Sequence, residues 1–434
     1  MKNATKVFSM LLALILLTLS LSTLTSCQKS EDSGDVKTLY VYNWGEYISD
    51  GSEGSVDSNK EFERWYYETY GERVRVSYST YSSNEDMYAK LSGGAVNYDV
   101  IVPSDYMIER LIKEDMLAPL NYKNIPLAAE NLSSDFFGKD AKYDYYDEGS
   151  VYSVPYFYGM IGIIYNKTMV DAADIGSWDI MWNEKYKDNI LQFNNSRDAL
   201  GTAQYKLGID VNTDNEEDWR RALAELKAQK EIVQGYVMDE IFNKMEGGSA
   251  AIAAYYAGDF LTMYENNSDL EFFYPKEGTN LYVDAMCIPK TSENKVIAER
   301  YINFMLSVDE EYGAPAIANA EYTYYASPNQ KVIDNEDYRA TMDEIKPAVI
   351  DEETGEVITP GAFDLMYDKT ALKTATYYQN LTPEKLALIN ELWEELKSDI
   401  SISPVIIIIC IAAVGSLVAM GVFLGTRKKF RNNY

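Results

Sequence analysis

The feature that most limits how this chain can fold is an apolar stretch near its end. Pro404 to Gly425 is 22 residues without a charge. About twenty apolar residues rising ~1.5 Å each cross a hydrocarbon layer of roughly 30 Å, so residues 403–426 are expected to form a transmembrane helix. Arg427, Lys428, Lys429 and Arg431 follow at once, and the bias of cationic residues toward the cytoplasm puts the tail 427–434 inside the cell. At the other end, Lys2 and Lys6 precede an uncharged, leucine-rich run from Met10 to Ser26. A basic start, a short apolar core and small residues before a cut describe a secretory signal over 1–26. The folded part is thereby expected on the outer face of the membrane.

Leu24-Thr25-Ser26-Cys27 has the form of a bacterial lipobox, which makes Cys27 a candidate lipidation site. An ordinary signal peptide with an incidental cysteine is the alternative. Residues 27–37 are polar and fit a flexible spacer. Cys410 falls in the apolar span and Cys287 is alone, so no internal disulfide and no cysteine-pair metal site is expected. The chain contains no histidine. That excludes Ser-His-Asp and Cys-His nucleophile systems and HExxH zinc sites. Its net charge of −29 argues against binding nucleic-acid phosphates, whose affinity comes from Lys and Arg. Neutral or cationic ligands suit it better.

Patterning between the ends alternates strands with helices. Leu39–Tyr42, Val74–Tyr78 and Asp99–Val102 read as strands, each followed by a helical segment: 61–67, 86–91, and one with Met107, Ile108, Leu111 and Ile112 on one face. Farther on, 162–165, 189–193, 250–256 and 283–288 read as strands, and 198–207, 217–229, 295–306 and 383–397 as helices. This is the pattern of a mainly parallel sheet covered by helices, in two α/β lobes. Ligands of such sheets lie beyond the carboxyl ends of the strands. There the sequence places Trp44-Gly45-Glu46-Tyr47, Thr80-Tyr81, Ser104-Asp105-Tyr106, Asn194 to Asp198, and Tyr256 to Asp259. Rings, hydroxyls and carboxylates, with Arg197 the only base among them, favour a cation with an alkyl body.

The same segments resemble the bacterial periplasmic spermidine/putrescine-binding proteins, the capture components of polyamine ABC transporters. The resemblance covers roughly residues 38–398. It rests on Y-N-W-G-E-Y at 42–47, S-T-Y-S-S-N-E-D-M-Y-A-K-L at 79–91, Y-D-V-I-V-P-S-D-Y at 98–106, Y-S-V-P-Y at 152–156, Y-P-K-E-G at 274–278 and V-D-A-M-C-I-P at 283–289, in order. It implies a periplasmic-binding-protein-like clamp (type II), with 38–158 and 283–330 as one lobe and 159–282 and 331–399 as the other. It also implies an ABC permease as partner, a monomeric ectodomain, no cofactor and no catalysis. Matched position by position, it makes Trp44, Glu46, Tyr47, Ser104, Tyr106, Asn195, Asp198, Tyr256, Asp259, Tyr282, Asp284, Tyr325 and Gln379 candidate ligand contacts. Asn195 departs from an Asp of spermidine-type members, while Asp259 matches putrescine-type ones; the mixture leans toward putrescine or broad specificity. The acidic, Gly/Ser-rich stretch 49–59 reads as a surface insertion.

Elementary chemistry agrees with these residue types. Each terminal ammonium brings three donors that need acceptors once desolvated, so a carboxylate at each end of the ligand is close to obligatory. Aromatic faces bury the methylenes and attract the ammonium at about 0.5–2 kcal/mol per contact. Plainer roles compete: Trp44 as core packing, Asp198 as a first-turn helix acid favoured by the dipole. Two other functions are consistent with the same residues, a clamp for another small cationic amine and a carboxylate-pair enzyme. The acidic runs lack EF-hand spacing and read as solvated loops.

Overall fold

The computed structural model describes residues 36–94, 96–351 and 353–398. The expected signal segment, Cys27, the transmembrane helix at 403–426 and the basic tail lie outside them. Among the described residues no helix is long and apolar enough to cross a membrane.

Three strand–helix units open the chain. β1 (Lys37–Trp44) starts inside the stretch expected as spacer and buries Leu39, Val41 and Tyr42. The helix Ser58–Tyr70 begins where Asp57 accepts from the Lys60 amide at 3.0 Å. It stops at Gly71, whose φ of 69° a side chain would resist. β2 (Val74–Tyr81) pairs in parallel along all of β1, and β3 (Val100–Ile101) pairs with the other edge of β1. The helix Asn84–Gly93 is capped by Ser83, and the helix Asp105–Lys113 buries Met107, Ile108 and Leu111, as their spacing requires.

β4 (Ser153–Asn166) is a 14-residue strand, buried almost throughout. Only its later part reads as strand in the sequence, because Pro155 interrupts the run. Proline lacks an amide donor and enters sheets at edges or irregularities. Here the pairing with β9 (Asn280–Cys287) shifts register between Pro155 and Phe157, which places the missing donor at a bulge. β5 (Ile190–Phe193), β6 (Val233–Val237), β7 (Ile252–Tyr256) and β8 (Leu270–Phe273) build the second half of the sheet. A separate hairpin, β10 (Val349–Ile350) with β11 (Val357–Thr359), stands apart, and β12 (Thr376–Tyr377) joins β9 in parallel.

The strand order is β2-β1-β3-β9-β4-β7-β5-β6, with β12 on β9 and β8 on β4. The mainly parallel sheet suggested by the sequence holds at the flanks and in the short β12–β9 pairing. The centre, β3–β9, β9–β4 and β4–β7, is antiparallel, because β4 and β9 carry the chain between the halves in opposite directions. Ser153–Met160 of β4 pairs with β9, and Ile161–Asn166 pairs with β7 and β8. One strand thus belongs to both halves of a two-lobed α/β fold. The expected surface insertion is exposed only around its tip. Its ends are anchored, since the Ser49 amide and Ser58 Oγ both donate to Asn319 Oδ1, at 3.0 and 2.8 Å.

Gly162 lies where β4 meets β8 so closely that an added Cβ would stand 2.7 Å from both Phe272 Cε1 and the Phe273 carbonyl oxygen. The second of these is backbone and cannot rotate aside. Gly162→Ala is therefore expected to cost ~1–3 kcal/mol of stability, read as a lower urea midpoint. An unchanged midpoint would show that the two strands can part without penalty.

Candidate functional site

Between the halves lies a cleft of about 870 Å³. Its walls form where strands end. β1 runs out into Trp44-Gly45-Glu46-Tyr47, β3 leads to Ser104, β5 leads to Asn195 and the helix Ser196–Leu207, and β7 leads directly into the helix Ala257–Asn266. Of the candidate contacts named above, all but Gln379 line this one cavity. Gln379 has an exposed side chain; its amide donates to Asn212 Oδ1 at 2.8 Å, and its carbonyl accepts from Arg197 Nη2 at 3.5 Å.

The first-half wall is tied together by short polar contacts. Tyr47 donates its hydroxyl to Asp284 Oδ2 at 2.5 Å, and its ring meets Tyr325 edge-on at 4.7 Å. Trp44 Nε1 donates to the Val102 carbonyl at 2.9 Å, which turns the indole against Tyr81 at 4.6 Å. Asn84 holds both Ser104 and Tyr106: its Nδ2 lies 3.1 Å from Ser104 Oγ and 3.1 Å from the Tyr106 hydroxyl. That hydroxyl donates in turn to Glu85 at 3.0 Å.

On the opposite wall Asn195 caps its helix, with Oδ1 accepting from the Asp198 amide at 2.8 Å. Its Nδ2 donates to Asp198 Oδ2 at 2.7 Å, and Tyr256 donates to the same oxygen at 2.6 Å. The helix-acid and ligand-contact readings of Asp198 are thus compatible, since it sits in the first turn and also lines the cavity. Tyr256 meets Tyr282 edge-on at 5.4 Å. Two glycines make room for cleft rings. An added Cβ on Gly159 would lie 2.8 Å from Tyr282 Cζ, and one on Gly258 2.7 Å from the Tyr325 ring.

Charge is lopsided. Glu46, Glu85, Asp105, Asp198, Asp239, Asp259 and Asp284 line the cavity, against Arg197 alone. Burial pushes Asp284 up to about 6, opposed by the nearby Ser104 hydroxyl and by Tyr47. Burial also pushes Asp259 up to about 7, and Asp239 and Glu46 nearby add to the shift. Asp198 and Glu85 are raised for the same first reason. Among the described residues, Asp284 Oδ1 and the Tyr282 hydroxyl are buried without a hydrogen-bond partner. Asp105, raised to about 7 by burial, is already engaged by the Tyr145 hydroxyl at 2.6 Å and the Val283 amide at 3.2 Å, which fasten β9 to the helix Asp105–Lys113. Among the described residues no cluster of acids has the arrangement of a metal site.

Sequence reasoning missed Asn84, Glu85, Asp239 and Tyr378 as lining residues. Asp239 follows β6, a strand whose V-Q-G-Y-V sequence has no clear alternation. Had β6 been recognised, the strand-end rule would have singled Asp239 out.

Residues 60–348 match the family described as bacterial extracellular solute-binding protein. The chain is 32% identical over 300 residues to the spermidine/putrescine-binding periplasmic protein of Salmonella typhimurium, spanning 68% of this chain and 79% of that relative. It is 28% identical over 374 residues to the putrescine/cadaverine-binding protein of Pseudomonas aeruginosa, spanning 83% and 93% respectively. A solved spermidine/putrescine ABC transporter protein from Listeria monocytogenes is similar with a TM-score of 0.68 at 31% identity, over 83% of this chain and 99% of that one. Matched over most of its length by that family and by relatives of this similarity, the chain belongs to the bacterial extracellular solute-binding proteins.

Proposed function

We propose that this protein captures a linear polyamine of the putrescine/spermidine class outside the cell membrane and delivers it to an ABC permease. The observation that carries the reading is the cleft's charge: seven carboxylates and one guanidinium line it, several of them buried. Uncompensated carboxylates are costly in such a place, and an ammonium removes that cost. The names of the relatives support the same ligand class. Asp198 with Tyr256 and Asp284 with Tyr47 receive the ammonium groups, and Trp44, Tyr106, Tyr282 and Tyr325 cover the methylenes. The lobes, taken as 38–158 with 283–330 and 159–282 with 331–399, close over the ligand, and the permease reads the closed state. Capture and delivery need no bond-breaking step, so the protein is not an enzyme. Lipid at Cys27 and the span at 403–426 would keep it at the membrane.

Titration calorimetry of the full-length chain with putrescine and spermidine is expected to give saturable heat with at least one. No heat and no thermal stabilisation with either would refute the reading. Asp284→Asn and Asp198→Asn should each weaken binding by on the order of 2–5 kcal/mol, the range for truncating one partner of a buried charge pair. Wild-type affinity in both would move the working carboxylates elsewhere.

Binding should also depend on pH. In the free protein Asp284 and Asp259 titrate at about 6 and about 7, and a neighbouring ammonium lowers both. Protons are therefore released on binding. Affinity should fall as pH drops below 7, by up to about tenfold per unit for each carboxyl that ionises. Calorimetry at pH 6 in two buffers of different ionisation enthalpy measures that release; equal apparent heats would show that these carboxyls are ionised already.

A further inference from the structure

The helix Ser196–Leu207 contains Gly201, with every residue from Ser196 to Tyr205 buried. Glycine is among the poorest residues for a helix interior, and its neighbour explains it. The Tyr378 hydroxyl occupies the space a Gly201 Cβ would need, with Tyr378 Cζ only 3.2 Å from that point. Tyr378 is 3% exposed and lines the cleft. Its hydroxyl is buried against Gly201 and acts on the Asp198 carboxyl. Against the ring stands Arg197, its guanidinium 4.4 Å from the centroid, with Nε and Nη1 lacking partners among the described residues.

The backbone carrying Tyr378 is pinned from both sides. Asn212 donates to the Tyr377 carbonyl at 2.8 Å, Tyr377 stacks on Tyr145 at 3.4 Å, and the Asn380 amide donates to Glu109 at 2.7 Å. Asp198 is the acid on which Arg197 and the Tyr378 hydroxyl act, while Tyr325, Asp239 and Glu46 act on Asp259. Tyr378 therefore stands beside Asp198, with the Arg197 cation against its ring.

Resting on the reading of the cleft as a polyamine site, we propose that Tyr378, seated on Gly201 and backed by Arg197, is the end stop that sets ligand length at the Asp198 pole. A terminal ammonium halts against Asp198 and the Tyr378 hydroxyl, whose oxygen accepts from it. A longer chain would have to push its charge toward the Arg197 guanidinium, which repels it. Gly201 is a positioning residue: it fixes how far the hydroxyl stands back from the cleft.

The test is calorimetric titration of the full-length chain with 1,4-diaminobutane, 1,5-diaminopentane and spermidine. Tyr378→Ala should shift the ratio of dissociation constants toward the longer amines by about tenfold or more, the scale of a methylene-sized change in a fitted pocket. Gly201→Ala should drive the hydroxyl into the cleft and shift the ratio the opposite way. Gly201→Ala with Tyr378→Phe removes the colliding oxygen and should restore the ratio seen in Tyr378→Phe alone. That rescue separates positioning from general damage to the helix. If Gly201→Ala does not fold, Tyr378→Ala decides by itself. A Tyr378→Ala ratio within about threefold of wild type, a difference under 1 kcal/mol, overturns the end stop while leaving the polyamine site standing. A wild-type chain that binds none of the three amines overturns both.

Discussion

Desolvated negative charge is the constraint around which the rest of this fold is arranged. Asp198, Asp259 and Asp284 are each less than a tenth exposed, and water cannot stabilise their ionised forms there. The protein offsets part of that cost with hydroxyl and amide donors, Tyr256 and Asn195 on Asp198 and Tyr47 on Asp284. On the proposed reading a bound cation supplies the remainder. A site assembled in this way discriminates by charge before shape, because a neutral ligand of the same outline would bury the carboxylates further without neutralising them.

Shape enters through the aromatic residues, and their placement depends on what is absent beneath them. Tyr282 and Tyr325 fit because Gly159 and Gly258 carry no side chain. These rings need no hydrogen bond to be held, since close packing fixes them. The Tyr282 hydroxyl stays available, unpaired among the described residues. Hydrogen bonding thus fixes the acids while steric fit fixes the rings, and the cleft gains order from both.

Much of this was legible in the sequence, for reasons that also explain what was not. The first three strands are short apolar or alternating runs that end in turn residues, so Trp44, Ser104 and Tyr106 could be placed at strand ends. β4 was readable only in part, because Pro155 resembles a strand breaker until its bulge is seen. β6 and β8 carry little periodicity, and with β6 unread Asp239 had no reason to stand out. Around 376–380 the sequence T-Y-Y-Q-N offers two tyrosines and a glutamine in an extended segment. Alternate side chains of such a segment face opposite ways, and no local signal says which faces inward. Gln379 carried the family match, but Tyr378 is the residue that lines the cavity. Parity of that kind is decided by tertiary contacts, here Asn212 gripping the backbone on either side of Tyr378.

The shared strand β4 has a mechanical consequence. Its first residues are stitched to β9 and its last to β7 and β8, so the lobes are joined by a continuous hydrogen-bonded ribbon and not by slack tethers. Such a ribbon twists easily along its length but resists stretching and shear. On the proposed reading, closure of the lobes would twist or bend that shared ribbon along its length. A permease docked on the rims would then sense occupancy of the interior as a change in the spacing of two surfaces.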